Sequence, residues 1–235
     1  MSNLYRLHYA PDNASLIVRL TLEEIGVAYE TQLVDRRAQA HKSPEYRALN
    51  PAGVIPVLET PQGPIFETGA IILWLADQHG ALAPAPTDPD RAAFLKWLFF
   101  IATTLHSDLR QTFYPGQYIG PDASLYSGYR THIQTRLRQH LALIEDVAAK
   151  APVWFCAATP SVLVFYVACL VRWMAPYPGD GDRSWFRLDE LPNLQVLLIS
   201  LEHRASVLLV REAEGLGATP FTKPTLATPP EGNPT

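Results

Sequence analysis

Cysteine is scarce in this chain. Its 235 residues hold two, Cys156 and Cys169, and none precedes them. There is no CxxC pair and no Cys/His cluster, so the spacing offers neither a zinc site nor a redox dithiol. Both cysteines stand among apolar neighbours, which marks them as buried reduced thiols. Net charge is small as well, −4 from 19 Lys and Arg against 23 Asp and Glu, with no block of one sign. A nucleic-acid partner needs a clustered basic surface to neutralise phosphates, and none is visible. The first residues, MSNLYRLHYAPDNAS, lack a basic region leading into an apolar core. They do not read as a secretory signal, so a cytoplasmic location is expected. Long apolar runs are nearly absent. The exception is residues 153–175, VWFCAATPSVLVFYVACLVRWMA. A membrane-spanning helix needs roughly 20 uninterrupted apolar residues. Thr159, Pro160 and Ser161 break this run and Arg172 closes it. A buried core helix over Ser161–Trp173 is expected there, with no membrane partner.

What the sequence does contain changes character near Gly80. Before it, strand-like and helix-like segments alternate. Leu4–His8 reads as a short strand. Leu16, Ile17, Leu20, Leu22 and Ile25 form one broad face of a helix that Gly26 stops. Ala28–Val34 reads as a second strand, and Ser43–Leu49 as a short helix ended by Asn50-Pro51. Val54–Glu59 and Pro64–Phe66 flank the turn Pro61-Gln62-Gly63, a hairpin signal. A further helix begins near Ile71. This order predicts an α/β sheet packed by helices. The proline-rich stretch 81–90 reads as an interdomain linker. After it only helices are expected, over Asp90–Phe113, Asp122–Ala149, Ser161–Trp173, Leu191–Leu201 and Arg204–Glu214. The domains are therefore drawn at 1–80 and 91–221. Residues 222–235, rich in Pro and Thr, read as a flexible tail.

Two motifs give these segments a chemistry. NPAGVIPVLET at 50–60 and IFETGAIILWLAD at 65–77 resemble the glutathione-binding half of the glutathione transferase superfamily. Residues 191–216, LPNLQVLLISLEHRASVLLVREAEGL, and the pair Leu105-His106 are similar to bacterial beta-like members. The resemblance extends over nearly the whole chain. It implies a thioredoxin-like N-terminal domain (a mixed four-stranded sheet with a cis-proline) and an all-α C-terminal domain. It also implies glutathione as substrate, no metal, an apolar electrophile as second substrate, a detoxification role and a homodimer.

Each motif also has a reading of its own. The family makes the Ile55-Pro56 bond cis, which proline permits at about 0.5–1 kcal/mol. Ile55 would then pair its N–H and C=O with the cysteinyl part of glutathione like an added strand. An ordinary edge-strand proline is the alternative. Glu67-Thr68 opens a helix, whose unpaired N–H groups and partial positive charge suit a carboxylate. By resemblance Thr68 meets the γ-glutamyl carboxylate and Glu67 the ammonium, and Thr68 has a plain N-capping role open to it as well. Of the basic residues Arg36, Arg37, His41 and Lys42, the resemblance allows one to face the glycyl carboxylate. Lys42 is chosen first, against a solvated loop charge.

The chain departs from the family at the reactive position. Beta-like members carry cysteine where Ala14 stands. Glutaredoxin-like chemistry, which needs a protein thiolate there, is thereby excluded. Transfer chemistry is not, because its nucleophile is the thiolate of glutathione. A free thiol has a pKa of about 8.5, so the protein must supply donors that favour the ionised form. Three are available, ranked Ser15, Asn13, Tyr9. Ser15 can equally cap its helix, and Tyr9 can simply pack at the strand end. The Leu-His pair implies that His106 reaches the sulfur from the helical domain, where it can also be a satisfied core histidine. For the electrophile, the same domain offers Phe100, Leu105, Phe113, Tyr114 and Tyr118, an apolar lining that can also be plain core. At Ser161 the family shows a capping box, Ser/Thr-x-x-Asp, but this chain has Ser161-Val162-Leu163-Val164. Ser161 can cap, while Val164 cannot return the bond. The leading expectation is conjugation of glutathione. A glutathione-dependent isomerase or lyase, and a non-catalytic glutathione-binding or scaffold protein, are the rivals on the same fold.

Overall fold

The computed structural model describes residues 4–234; residues 1–3 and 235, at the ends of the first expected domain and of the expected tail, lie outside it. Four strands form one mixed sheet in the order β2-β1-β3-β4. They are β1 (Tyr5–Tyr9), β2 (Tyr29–Leu33), β3 (Val57–Thr60) and β4 (Gly63–Phe66). β2 runs parallel to β1, while β3 is antiparallel to both β1 and β4. A parallel neighbour requires a crossover. It is α1 (Ser15–Ile25), whose Leu16, Ile17, Leu20 and Leu22 are buried. α1 ends where Gly26 takes a left-handed φ of 77° and donates to Leu22, a conformation that glycine adopts without a Cβ clash. α2 (Pro44–Leu49) is capped by the Ser43 hydroxyl, which accepts from the Tyr46 N–H. The sheet is completed by α3 (Thr68–His79).

The rest is helical. α4 (Arg91–Phe100) and α5 (His106–Phe113) occupy the stretch expected as one helix. A π-helical turn over Ile101–Leu105 joins them, immediately before His106. α6 (Gly116–Ile119) was not expected from the periodicity; four residues are too few to show one. α7 (Tyr126–Lys150) is followed by α8 (Val162–Met174), α9 (Pro192–Leu201) and α10 (Ala205–Ala213). α8 is the central helix, and all thirteen of its residues are buried. This is the apolar run of the sequence, used as core. Among the described residues no single helix is long and apolar enough to cross a membrane.

Two segments without regular structure are held by partners. In the expected linker 81–90 the Leu82 carbonyl accepts from Val162 N–H, and Arg91 bonds both Asp77 and the Pro84 carbonyl. The segment read as a flexible tail is docked. Thr228 N–H donates to the Gly215 carbonyl at 2.9 Å, Thr225 accepts from Arg172, and Ala227 is buried. A Cβ at Gly215 would stand 2.1 Å from the Thr228 oxygen, so the docking depends on glycine there. Proline and threonine content signals a lack of regular structure, but these residues gain their order from partners elsewhere in the chain.

Candidate functional site

The loop between β1 and α1 carries the three expected donors, and the structure separates their roles. Ser15 is fully buried. Its hydroxyl donates to the Ala10 carbonyl at 3.0 Å and lies 3.3 Å from the Ala10 N–H, from which it accepts. It therefore fastens the loop to the start of α1, and its proton is not free for a sulfur. It does not cap the helix by side chain either. Tyr9 is buried at the end of β1, and its hydroxyl donates to the Glu231 carboxylate of the C-terminal segment. Burial, then the bond to Glu231, raises its pKa above the usual tyrosine value. Asn13 alone keeps an unspent donor. Its Oδ1 accepts from Ala14 N–H at 2.8 Å, and the residue is partly exposed. Each hydroxyl has one proton, and in Ser15 and Tyr9 it is already given to the Ala10 carbonyl and to Glu231.

The glutathione motifs lie at the adjoining edge. The Ile55-Pro56 bond is cis. The loop before it is pinned by Asn50, whose Nδ2 donates to the Val54 carbonyl at 2.7 Å, with the Tyr46 hydroxyl donating to the same oxygen at 3.0 Å. Ile55 stands outside the β3 ladder, which begins at Val57. Glu67 occupies the cap position of α3 with φ 71° and makes no side-chain cap bond. Thr68 is buried as the first helical residue, so it is not the N-cap. The first turn of α3 keeps its N–H groups free of side-chain caps, as a carboxylate site requires.

The basic loop divides. Lys42 is exposed. Arg36, by contrast, reaches across to the helical part, donating to the Tyr114 hydroxyl at 2.8 Å and to the Pro234 carbonyl at 2.5 Å. His106 does not present a charge. Its Nδ1 lies 2.9 Å from the Tyr166 hydroxyl, and its ring lies against those of Tyr166 and Trp173. Burial, helped by the nearby Arg110, pushes its pKa down to about 4, so the ring is neutral at pH 7.

The five expected acceptor residues do not form one wall. Leu105 is core, and Phe100 packs between Trp97 and His140. Tyr118 is exposed and bonded to Arg110. Phe113 and Tyr114 remain, in edge contact with each other, with Phe113 also against Tyr177 and Tyr114 tied to Arg36. Helical spacing does not say which neighbour a side chain meets, because a helix faces several.

Sequence reasoning missed Asp12 and Arg172. Both are fully buried and bonded to each other across the two parts of the chain. A signal was present: Arg172 is the single charge inside the apolar run of α8, and a buried charge demands a partner. Glu231 and Gly232 were missed because they lay in the expected tail. A Cβ at Gly232 would come within 2.7 Å of Leu33 and 3.0 Å of Pro11, so the tail passes directly over the reactive loop. Among the described residues no group of three His, Cys, Asp or Glu could hold a metal ion.

Comparison with known proteins gives this geometry a context. Residues 14–78 match the family model for the glutathione S-transferase N-terminal domain. The chain is 26% identical to glutathione S-transferase GstA of Escherichia coli O157:H7 over 216 residues, 90% of this chain and 99% of that protein. It is 36% identical to glutathione S-transferase F9 of Arabidopsis thaliana over 109 residues, 45% of this chain, and there spans about half (49%) of the relative's length. The solved structure of a sphingomonad glutathione S-transferase complexed with glutathione superposes with a TM-score of 0.71 at 24% identity, over 90% of this chain and all of that one (100%). With a thioredoxin-like sheet, a cis-proline before β3 and an all-helical remainder, the chain has the glutathione transferase fold, and its residues 14–78 belong to the glutathione S-transferase N-terminal domain family.

Proposed function

We propose that the chain is a glutathione transferase that adds the thiolate of glutathione to an apolar electrophile without a protein cysteine. Glutathione lies along Ile55, with its γ-glutamyl end at Glu67 and Thr68 and its glycyl carboxylate near Lys42 or Arg36. The sulfur lies at the reactive loop, where the Asn13 amide donates to it. The electrophile enters between that loop and Phe113 and Tyr114. The observation that carries this reading is the unspent Nδ2 of Asn13, since the Ser15 and Tyr9 protons are held elsewhere. His106, neutral and bonded to Tyr166, supports a preorganised wall and supplies no charge. We further propose a homodimer in a reducing, cytoplasmic setting; Phe66 of β4 and Phe99 of α4 are exposed apolar side chains that a second copy can cover.

The deciding experiment is an ultraviolet difference titration of bound glutathione against pH, read at the thiolate band. A thiolate forming well below about 8.5 is expected. Asn13→Ala should abolish most of that shift and lower turnover on a generic electrophile by roughly 10²-fold, as loss of one oriented donor does. Ser15→Ala should leave the shift in place and lower the unfolding temperature instead. A second reading, a non-catalytic glutathione-binding protein, is favoured by the committed protons of Ser15 and Tyr9. It wins if bound glutathione stays a thiol at neutral pH.

A further inference from the structure

The most completely bonded side chains of the molecule lie beside the site, in a pair that the reading above does not use. Arg172 of α8 gives all five of its N–H groups to protein acceptors. Nε and one Nη2 hydrogen go to Asp12, at 2.8 and 2.9 Å. The others go to the carbonyls of Leu216, Pro220 and Thr225, at 3.2, 3.0 and 3.0 Å. Asp12 is equally saturated. Beyond the two bonds from Arg172, it accepts from Trp173 Nε1 at 2.7 Å and from the Tyr177 hydroxyl at 2.8 Å. Its own N–H donates to Glu214 at 2.8 Å, and Glu214 in turn faces Arg19.

Stability alone is a weak reason for this arrangement. Removing two charges from water costs several kcal/mol each, and apolar residues of similar size often serve a core as well. What the pair does achieve is register. Asp12 belongs to the reactive loop, while Arg172, Trp173 and Tyr177 belong to the helical part. Asp12 holds a left-handed φ of 51°, which a non-glycine residue keeps only when its surroundings impose it. The next residue is Asn13. On its other side Asn13 is fixed by its carbonyl, which accepts from Leu16 N–H at 2.8 Å, and by Oδ1, which accepts from Ala14 N–H. The direction of its Nδ2 therefore depends on where Asp12 is anchored.

We propose that Asp12 is a positioning residue that acts through Asn13: its clamp on Arg172, Trp173 and Tyr177 aims the Asn13 amide at the glutathione sulfur. The inference rests on the reading of Asn13 as thiolate donor. Asp12 touches no substrate. It fixes the geometry of a donor whose benefit falls steeply when its angle is wrong. The same arginine seats the C-terminal segment, so loop and segment share one anchor.

The test uses the full chain and three sets of variants. Trp173→Phe and Tyr177→Phe each remove one donor to Asp12 without altering charge. The double variant Asp12→Leu/Arg172→Met replaces both buried charges with apolar groups, which avoids leaving one of them unpaired. Each is combined with Asn13→Ala. Three quantities are read: the pH midpoint of thiolate formation in bound glutathione, the glutathione dissociation constant, and the thermal unfolding temperature. The clamp variants should raise the pH midpoint of thiolate formation by about one pH unit, a tenfold change in the ionisation equilibrium and the size expected for a misaimed bond to a charged group. They should have no further effect in the Asn13→Ala background, because they act through the same amide. A purely structural role would lower the unfolding temperature and leave the thiol midpoint unmoved. If the double variant does not fold, the two single variants decide by the same readout. If Asn13→Ala shifts the midpoint and the clamp variants do not, or if their effects add to it, the positioning role is overturned and the transferase reading survives. If Asn13→Ala itself leaves the midpoint in place, the donor assignment is what fails.

Discussion

Glu67 holds φ 71° and ψ 114°, outside the regions that non-glycine residues favour. Such conformations cost about 1–3 kcal/mol and persist where the surroundings impose them, commonly at ligand sites. Glu67→Gly separates the two sides of that cost. Glycine relieves the clash and gives back up to ~1 kcal/mol through greater freedom of the unfolded chain. The unfolding temperature should therefore hold nearly constant while the glutathione dissociation constant rises, and calorimetry with isothermal titration checks both. Glu214 is the second residue whose surroundings set its behaviour. Burial pushes its pKa from 4.5 up to about 7, against the pull of Arg19 and the Asp12 N–H. Between those values the folded chain holds more protons than the unfolded one. The stability it contributes is thus present at low pH and lost as pH rises toward 7. His106 runs oppositely: its contribution is complete above 6.5 and is lost as pH falls toward 4. Glu214→Gln removes only the first trend. Relative to the parent, the variant should gain stability by at most ~1.4 kcal/mol per pH unit from about pH 4.5 to 7, then stay level, in urea unfolding across that range.

α8 shows what a helix contributes when it is wholly core. Its start is held by Ser161, whose hydroxyl accepts from Leu163 N–H at 3.3 Å and donates to the Trp154 carbonyl at 2.6 Å. The capping half expected from the sequence is present. Val164, which cannot return the bond, is fully buried. Ser161→Ala should cost about 1–3 kcal/mol, because a cap is lost and a buried carbonyl is left without its donor; chemical denaturation measures it. Most elements were legible because periods of two and of 3.6 leave clear apolar rows, as in α1 and the β3–β4 hairpin. The π turn at Ile101–Leu105 was not, since one extra residue in a turn leaves the composition unchanged and moves the apolar row by only part of a turn. That turn lies directly before His106, whose ring meets Tyr166, so the orientation of this residue was not readable from the sequence.

At the scale of the molecule, the C-terminal segment ties the two parts together. Tyr9 bonds Glu231, Arg36 bonds Pro234, and Arg172 bonds Thr225. Truncation after Phe221 should lower the unfolding temperature, since Arg172 loses an acceptor and the Gly215 carbonyl loses its donor from Thr228. It should also bring the Tyr9 phenol back down toward its ordinary value, seen as phenolate absorbance at lower pH, because both burial and the Glu231 carboxylate hold it up. The sequence by itself determined the fold class, the order of the sheet elements, the cis-proline position before β3 and the absence of a cysteine at Ala14. The α/β class and the element order follow from local period and turn residues, while the cis bond at Ile55-Pro56 was what the resemblance to the family implied. Only the tertiary structure decided which donor is free. Ser15, Asn13 and Tyr9 are equivalent as a list of proton donors, and what separates them is whether a partner elsewhere has taken the proton. For Ser15 that partner is five residues away, at Ala10; for Tyr9 it is Glu231, reachable only once the chain has folded back on itself.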